Sequence, residues 1–149
     1  MKKRLKKKNS RHPKLVGGAT ATKARILEVG DLSAVRAYIG ETCKRRGFEV
    51  IQAHCGGEAL DLYRRCGPFV LVLSDLYWYD EGGSEPPISN IKAIRHGIQL
   101  ASAIRKLAPK QNIVIRTGAS LLREQMPKEL SDVRILKKPL RIKELESLL

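Results

Sequence analysis

Two carboxylates, a hydroxyl and an ammonium each stand at the end of a short apolar run: Asp31, Asp75, Thr117 and Lys138. If the runs are parallel strands of one sheet, the four groups meet at one edge. Two carboxylates brought together repel and call for a cation. Oxygen ligands with open coordination suit Mg2+, which keeps several waters and takes phosphate oxygens as further ligands. A carboxylate beside such an ion can attack a phosphoryl group. Thr117 and Lys138 would then hold the phosphoryl oxygens, the hydroxyl by donating and the ammonium by neutralising charge. Taken singly, each residue has an ordinary reading. Asp75 caps a turn, Asp31 lies by a helix N-cap, Thr117 ends a strand and Lys138 is a surface lysine. Only the combination carries chemistry.

The elements that must position these groups follow from apolar periodicity. Strands are expected at residues 24–29, 48–53, 69–74, 112–116 and 133–136. The third reads FVLVLS, and a continuous apolar run suits a parallel strand covered on both faces. Helices are expected at 33–46, 57–65, 89–107, 120–125 and 141–148. Gly47 stops the first helix. Gly97 either sits inside the third, at a cost of about 1 kcal/mol relative to alanine, or marks its true start. Residues 77–88, with Gly82-Gly83 and Pro86-Pro87, read as a loop. Strict alternation of strand and helix predicts an α/β fold, a doubly wound five-stranded parallel sheet with helices on both faces. In such sheets ligands sit beyond the carboxyl ends of the strands.

In order and spacing, RILEVGD (25–31), LVLSDL (71–76), IVIRTGA (113–119) and LKKPL (136–140) resemble the receiver domains of bacterial response regulators, of flavodoxin-like fold. The resemblance runs from about Arg25 to Leu149. It implies that Asp75 is the phosphoacceptor. It implies Mg2+ held by Asp31, Asp75 and the backbone carbonyl of Tyr77. Thr117 would be the switch hydroxyl, and Lys138 would bind the acceptor carboxylate and then its phosphoryl group. A histidine kinase or phosphotransfer protein would be the donor. The role implied is signalling rather than enzymatic turnover, apart from weak self-catalysed dephosphorylation.

Four departures stand out. Gly30 replaces the first of two adjacent acids, which lowers the expected Mg2+ affinity, and Glu28, inside the strand, is not expected to substitute. The third strand–helix connection is long, and long loops in compact domains are usually functional or mobile. Ile135 stands where an aromatic switch residue is expected. Pro127 shortens the fourth helix. Gly30 and Ile135 favour an alternative: a pseudo-receiver that binds partners without being phosphorylated.

The net charge is +14, and eight of the 29 basic residues fall in the first 14 positions. Residues 1–22 therefore read as a disordered basic arm before a domain at 23–149. The arm has three readings: a solvated tail, nucleic-acid contact through phosphate neutralisation, or contact with anionic lipid. Base stacking lacks aromatics there. No apolar run approaches the roughly 20 residues of a membrane span, and no apolar signal segment follows the basic start. The three cysteines, Cys43, Cys55 and Cys66, form no metal-type pair and read as small apolar residues. A reducing, cytoplasmic setting is expected. His54 and His96 have no partner at metal-ligand spacing. Tyr77, Trp78 and Tyr79 either pack the long loop onto the domain or form a partner surface, and packing is the expectation.

Overall fold

The computed structural model describes residues 21–78, 97–118 and 126–149. Five strands, β1 (Arg25–Val29), β2 (Glu49–Ala53), β3 (Leu71–Asp75), β4 (Ile113–Thr117) and β5 (Arg134–Lys137), form one sheet in the order β2-β1-β3-β4-β5. Every pairing is parallel. Among the described residues four α-helices accompany them: α1 (Ser33–Arg45), α2 (Gly56–Cys66), α3 (Gly97–Leu107) and α4 (Ile142–Ser147). The expected doubly wound sheet is therefore the observed one.

Several boundaries move, for local reasons. The third strand starts at Leu71 rather than Phe69 and takes in Asp75, because pairing with β1 begins at Ile26–Leu71. The Phe69 carbonyl instead accepts from Gln111 Nε2 at 3.1 Å. The fifth strand starts one residue later than expected, since Val133 N–H closes a short 3-10 turn (Lys128–Leu130) on Leu130 O at 3.0 Å. The third helix is described from Gly97 to Leu107, and its expected turns over 89–96 lie outside the described residues. So do the expected helix 120–125, the loop 79–88 and most of the basic arm.

Side chains along a strand alternate between the two faces of the sheet. One face carries Leu27, Val29, Val72, Ile113 and Ile115 and packs against Ala59 of α2 and Leu100, Ala101 and Ile104 of α3. The other carries Ile26, Leu71, Leu73, Val114 and Leu136 and packs against Ile39 and Cys43 of α1 and Leu145 of α4. Burying an aliphatic side chain of this size contributes about 1.5–3 kcal/mol. Both faces are thus apolar, as the continuous runs require. Trp78 joins the first core, whereas Tyr77 is exposed. Cys43 is buried and Cys55 and Cys66 are half-buried, all as thiols.

Gly97 sets how closely α3 approaches the end of β3. Its N–H donates to Leu76 O at 2.7 Å, and a Cβ there would lie 2.5 Å from the Asp75 carbonyl oxygen. That neighbour is backbone and cannot swing away. Gly97→Ala is expected to lower unfolding stability by about 1–3 kcal/mol or more. Gly57→Ala, where a Cβ meets nothing within 4 Å, is expected to be neutral or stabilising by up to about 1 kcal/mol. Urea unfolding of both variants checks the pair, and equal stabilities would contradict the close approach.

Candidate functional site

Strand alternation decides which charges meet. Continuing the residues of the α1–α4 face by steps of two leads from Ile26 to Glu28, from Leu73 to Asp75, from Val114 to Arg116 and from Leu136 to Lys138. Apolar at their starts, these rows end in two acids and two bases on one face. Asp75 pairs in register with Arg116. The β1–β3 register runs to Val29–Ser74, so Gly30 comes next, beside Asp75. Three backbone hydrogen bonds extend the sheet past its strand ends and fix these positions: Gly30 N–H to Ala53 O at 3.1 Å, Leu76 N–H to Arg116 O at 2.8 Å, and Lys138 N–H to Thr117 O at 2.8 Å.

Arg116 organises the site. Its Nη2 lies 2.9 Å from Glu28 Oε1 and 3.0 Å from Asp75 Oδ1. The same nitrogen is 3.4 Å from Val29 O. Lys138 Nζ reaches Asp75 Oδ1 at 3.2 Å. The two contacts to Asp75 Oδ1 are charge pairings whose angles fall short of hydrogen-bond geometry. Arg116, Glu28 and Asp75 are 1%, 0% and 2% exposed, so their charges depend on one another rather than on water. Arg116 Nε and Nη1 are buried without a hydrogen-bond partner among the described residues.

Burial pushes the Glu28 carboxyl up to about 7, against the opposing pull of Arg116. Burial also raises Asp75 above its usual value; Arg116 and then Lys138 oppose the rise, and Asp31 adds to it. A groove of about 510 Å3 between α1 and the segment after β5 is lined by Leu32, Val35, Tyr38 and Leu140, and also by Arg116 and Lys138. At this groove Lys138 is 34% exposed, whereas Arg116 is buried behind it.

Of the residues expected from sequence, Asp75 and Lys138 are in direct contact. Asp31 lies in the bend after β1, close enough to act on the charge of Asp75. Thr117 is buried at the end of β4, at the same edge. Tyr77 follows β3 by two residues, its side chain 61% exposed. His54 Nδ1 is 3.1 Å from Glu58 Oε2 on an exposed surface. Arg116 and Glu28 are not among the residues that motif spacing singles out. The available signal is a charged residue within an apolar stretch of each of two strands, Glu28 in RILEV and Arg116 in IVIRT.

The fold matches known structures. The chain has the response-regulator receiver fold. The chemotaxis protein CheY4 of Vibrio cholerae superposes with TM-score 0.64 at 21% identity, over 85% of this chain and 95% of that one. A CheY-like receiver domain protein from Methanospirillum hungatei JF-1 gives 0.68 at 23% identity, over 85% and 90%. The receiver domain of the hybrid histidine kinase CckA gives 0.59 at 26% identity, over 83% and 94%. No protein-family model matches the chain, and no curated protein does. At such identities the receiver fold is common ground, and the chemistry must be argued from side chains.

The donor set does not fit the Mg2+ of that fold. Among the described residues no three acidic, His or Cys groups are arranged to hold a metal ion. Gly30 brings no carboxylate. Glu28 and Asp75 already face the Arg116 guanidinium, and Asp75 faces Lys138 as well.

The charge balance gives a pH prediction. Glu28 ordinarily titrates near 4.5 and here near 7. A carboxyl raised in the folded state contributes stability that is complete below the unfolded value and is lost as pH rises through the folded one. Wild-type stability should therefore fall between about pH 4.5 and 7, by roughly 3 kcal/mol for a shift of this size. Glu28→Gln keeps an acceptor for Arg116 and removes the titration. Urea midpoints across this range should be flatter in the variant, and parallel profiles would refute the assignment.

Proposed function

We propose that this chain is a phosphoacceptor signalling module in which Asp75 takes a phosphoryl group from a histidine kinase or phosphotransfer protein and passes the signal on by protein contact. The observation that carries this reading is the pairing of Asp75 with both Lys138 and Arg116 at the carboxyl edge of the sheet. An Asp75 carboxylate oxygen forms the new P–O bond. The donor's bond to phosphorus breaks, its electron pair leaves with the donor, and the donor picks up a proton. The product is an acyl phosphate carrying more negative charge than the carboxylate it replaces. Lys138 neutralises part of that charge as a point cation. Arg116 suits the rest, because a guanidinium presents several donors in one plane to phosphoryl oxygens. Its Nε and Nη1 are not engaged by the described residues. Thr117, at the end of β4, is the hydroxyl proposed to respond to the new group. No turnover of a separate substrate is proposed. No described helix is long and apolar enough to cross a membrane, and the basic arm at 1–22 plays no part in this reading.

A second reading is favoured by a specific observation. Asp75 is only 2% exposed and already neutralised by two cations, which is the state of a structural carboxylate. On that reading the chain is a pseudo-receiver that binds partners without phosphorylation.

Intact-mass spectrometry after incubation with acetyl phosphate separates the two. One added phosphoryl group in the wild type, absent in Asp75→Ala, is the expected result. A folded wild type whose mass is unchanged by acetyl phosphate and by a phosphorylated histidine donor would leave the pseudo-receiver reading.

A further inference from the structure

We propose that Arg116 is the resident cation of the acid pocket: its guanidinium takes the place of the divalent ion that receiver-type sites recruit, so the pocket is built to work without a metal. The inference deepens the phosphoacceptor reading, because it concerns the charge that makes Asp75 usable. It is tested without any phosphoryl donor.

Three features of the chain fit together only on this account. The first is the acid missing from the end of β1. A Cβ on Gly30 would lie 2.8 Å from Asp75 Oδ2, 3.2 Å from Arg116 Nη2 and 3.3 Å from Glu28 Oε1. The space beside Gly30 is thus filled by the guanidinium and the carboxylates it gathers. A larger residue there would displace the tips of these side chains.

The second is the acid that is present at an unexpected place. Glu28 lies two residues before Gly30, on the same face, and is 0% exposed. A buried carboxylate needs a partner, and Arg116 is that partner at 2.9 Å. Glu28 and Arg116 come from strands that do not touch, with β3 between them. The Arg116 side chain must cross β3 to reach Glu28, which brings it past Asp75.

The third is the charge balance. Glu28, Asp31 and Asp75 are set against Arg116 and Lys138. Two fixed positive charges beside the carboxylates repel an incoming divalent ion, and they already face Asp75 Oδ1 and Glu28 Oε1. Lys138 contacts Asp75, whereas Arg116 contacts both Asp75 and Glu28. Arg116 is therefore the group whose removal should expose metal-binding oxygens.

Mn2+ serves as the probe, because free and bound ion are distinguished by electron paramagnetic resonance, with Mg2+ as competitor. The full chain should show no saturable Mn2+ binding at millimolar ion. Arg116→Met should gain binding that Mg2+ displaces, at least about tenfold tighter than any wild-type affinity, as expected when a full charge leaves the side of the ligands. Arg116→Lys, which retains a cation, should bind no better than the wild type. If Arg116→Met fails to fold because Glu28 is left unpaired, the double variant Glu28→Gln, Arg116→Met removes that charge too and should show the same gain through Asp31 and Asp75. Saturable Mn2+ binding by the wild type would overturn the proposal, and so would a folded Arg116-to-Met variant that binds no better than the wild type. A wild type that fails to accept phosphoryl but behaves as described toward Mn2+ would reject the phosphoacceptor reading and leave this one standing.

Discussion

A guanidinium with almost no exposure to water, wedged between two carboxylates, is the constraint from which the rest of this site follows. Removing such ions from water costs several kcal/mol each, and only close pairing and hydrogen bonding compensate. Arg116 meets that condition by facing Glu28 and Asp75 together. Each member depends on the others. Without Arg116, two acids would be buried close to each other. Without Glu28, the guanidinium would rest on Asp75 alone. With any side chain at position 30, the group would have to shift. Glu28, Gly30 and Arg116 therefore behave as one unit spread over two strands, and Asp75 sits in its middle.

The sheet supplies what the pairing needs. Period-two alternation puts Glu28, Asp75, Arg116 and Lys138 on the face covered by α1 and α4, where the rows that precede them are apolar. Parallel register sets Asp75 opposite Arg116. The hydrogen bonds from Gly30, Leu76 and Lys138 carry the ladder beyond the strands, so the charged residues stand on fixed backbone. Gly97 lets α3 approach the carbonyl of Asp75 itself. The other core, with Trp78 and the α2 and α3 contacts, anchors the opposite face. The residues of the site are thus held by elements that are stable for reasons unrelated to charge.

The fold was legible because its evidence is local and repeated. Continuous apolar runs alternating with amphipathic ones imply a covered parallel sheet, and the right-handed rule leaves few topologies. Strand edges were less legible where side chains or short turns take backbone partners, as Gln111 does at Phe69 and the 3-10 turn does at Val133. Asp75 and Lys138 were legible because they end their runs. Arg116 was not, although it stands one residue before Thr117 in a motif that was read. A charge inside an apolar strand identifies itself as unusual, but its partner lies 88 residues away on a strand it does not touch. That pairing is a property of register and of the space beside Gly30, neither of which a linear pattern records. Glu28 was not expected to act as a metal ligand, and in the structure it faces the guanidinium.

Phosphoryl chemistry and the internal ion pair make competing demands on the same nitrogen. Arg116 Nη2 is within 3.0 Å of both Glu28 and Asp75. A phosphoryl group on Asp75 would draw the guanidinium toward new oxygens and weaken its hold on Glu28. A carboxylate abandoned in the core would ordinarily be costly. Glu28, however, already titrates near 7, so it can take up a proton near neutrality instead of remaining as a bare charge. On the proposed role of Arg116 the site would reset without exchanging a metal ion, since its positive charge would be part of the chain. Signalling by such a pocket would be governed by how Glu28, Asp75 and the phosphoryl group share one guanidinium. That is a narrower and more local balance than the recruitment of an ion from solution.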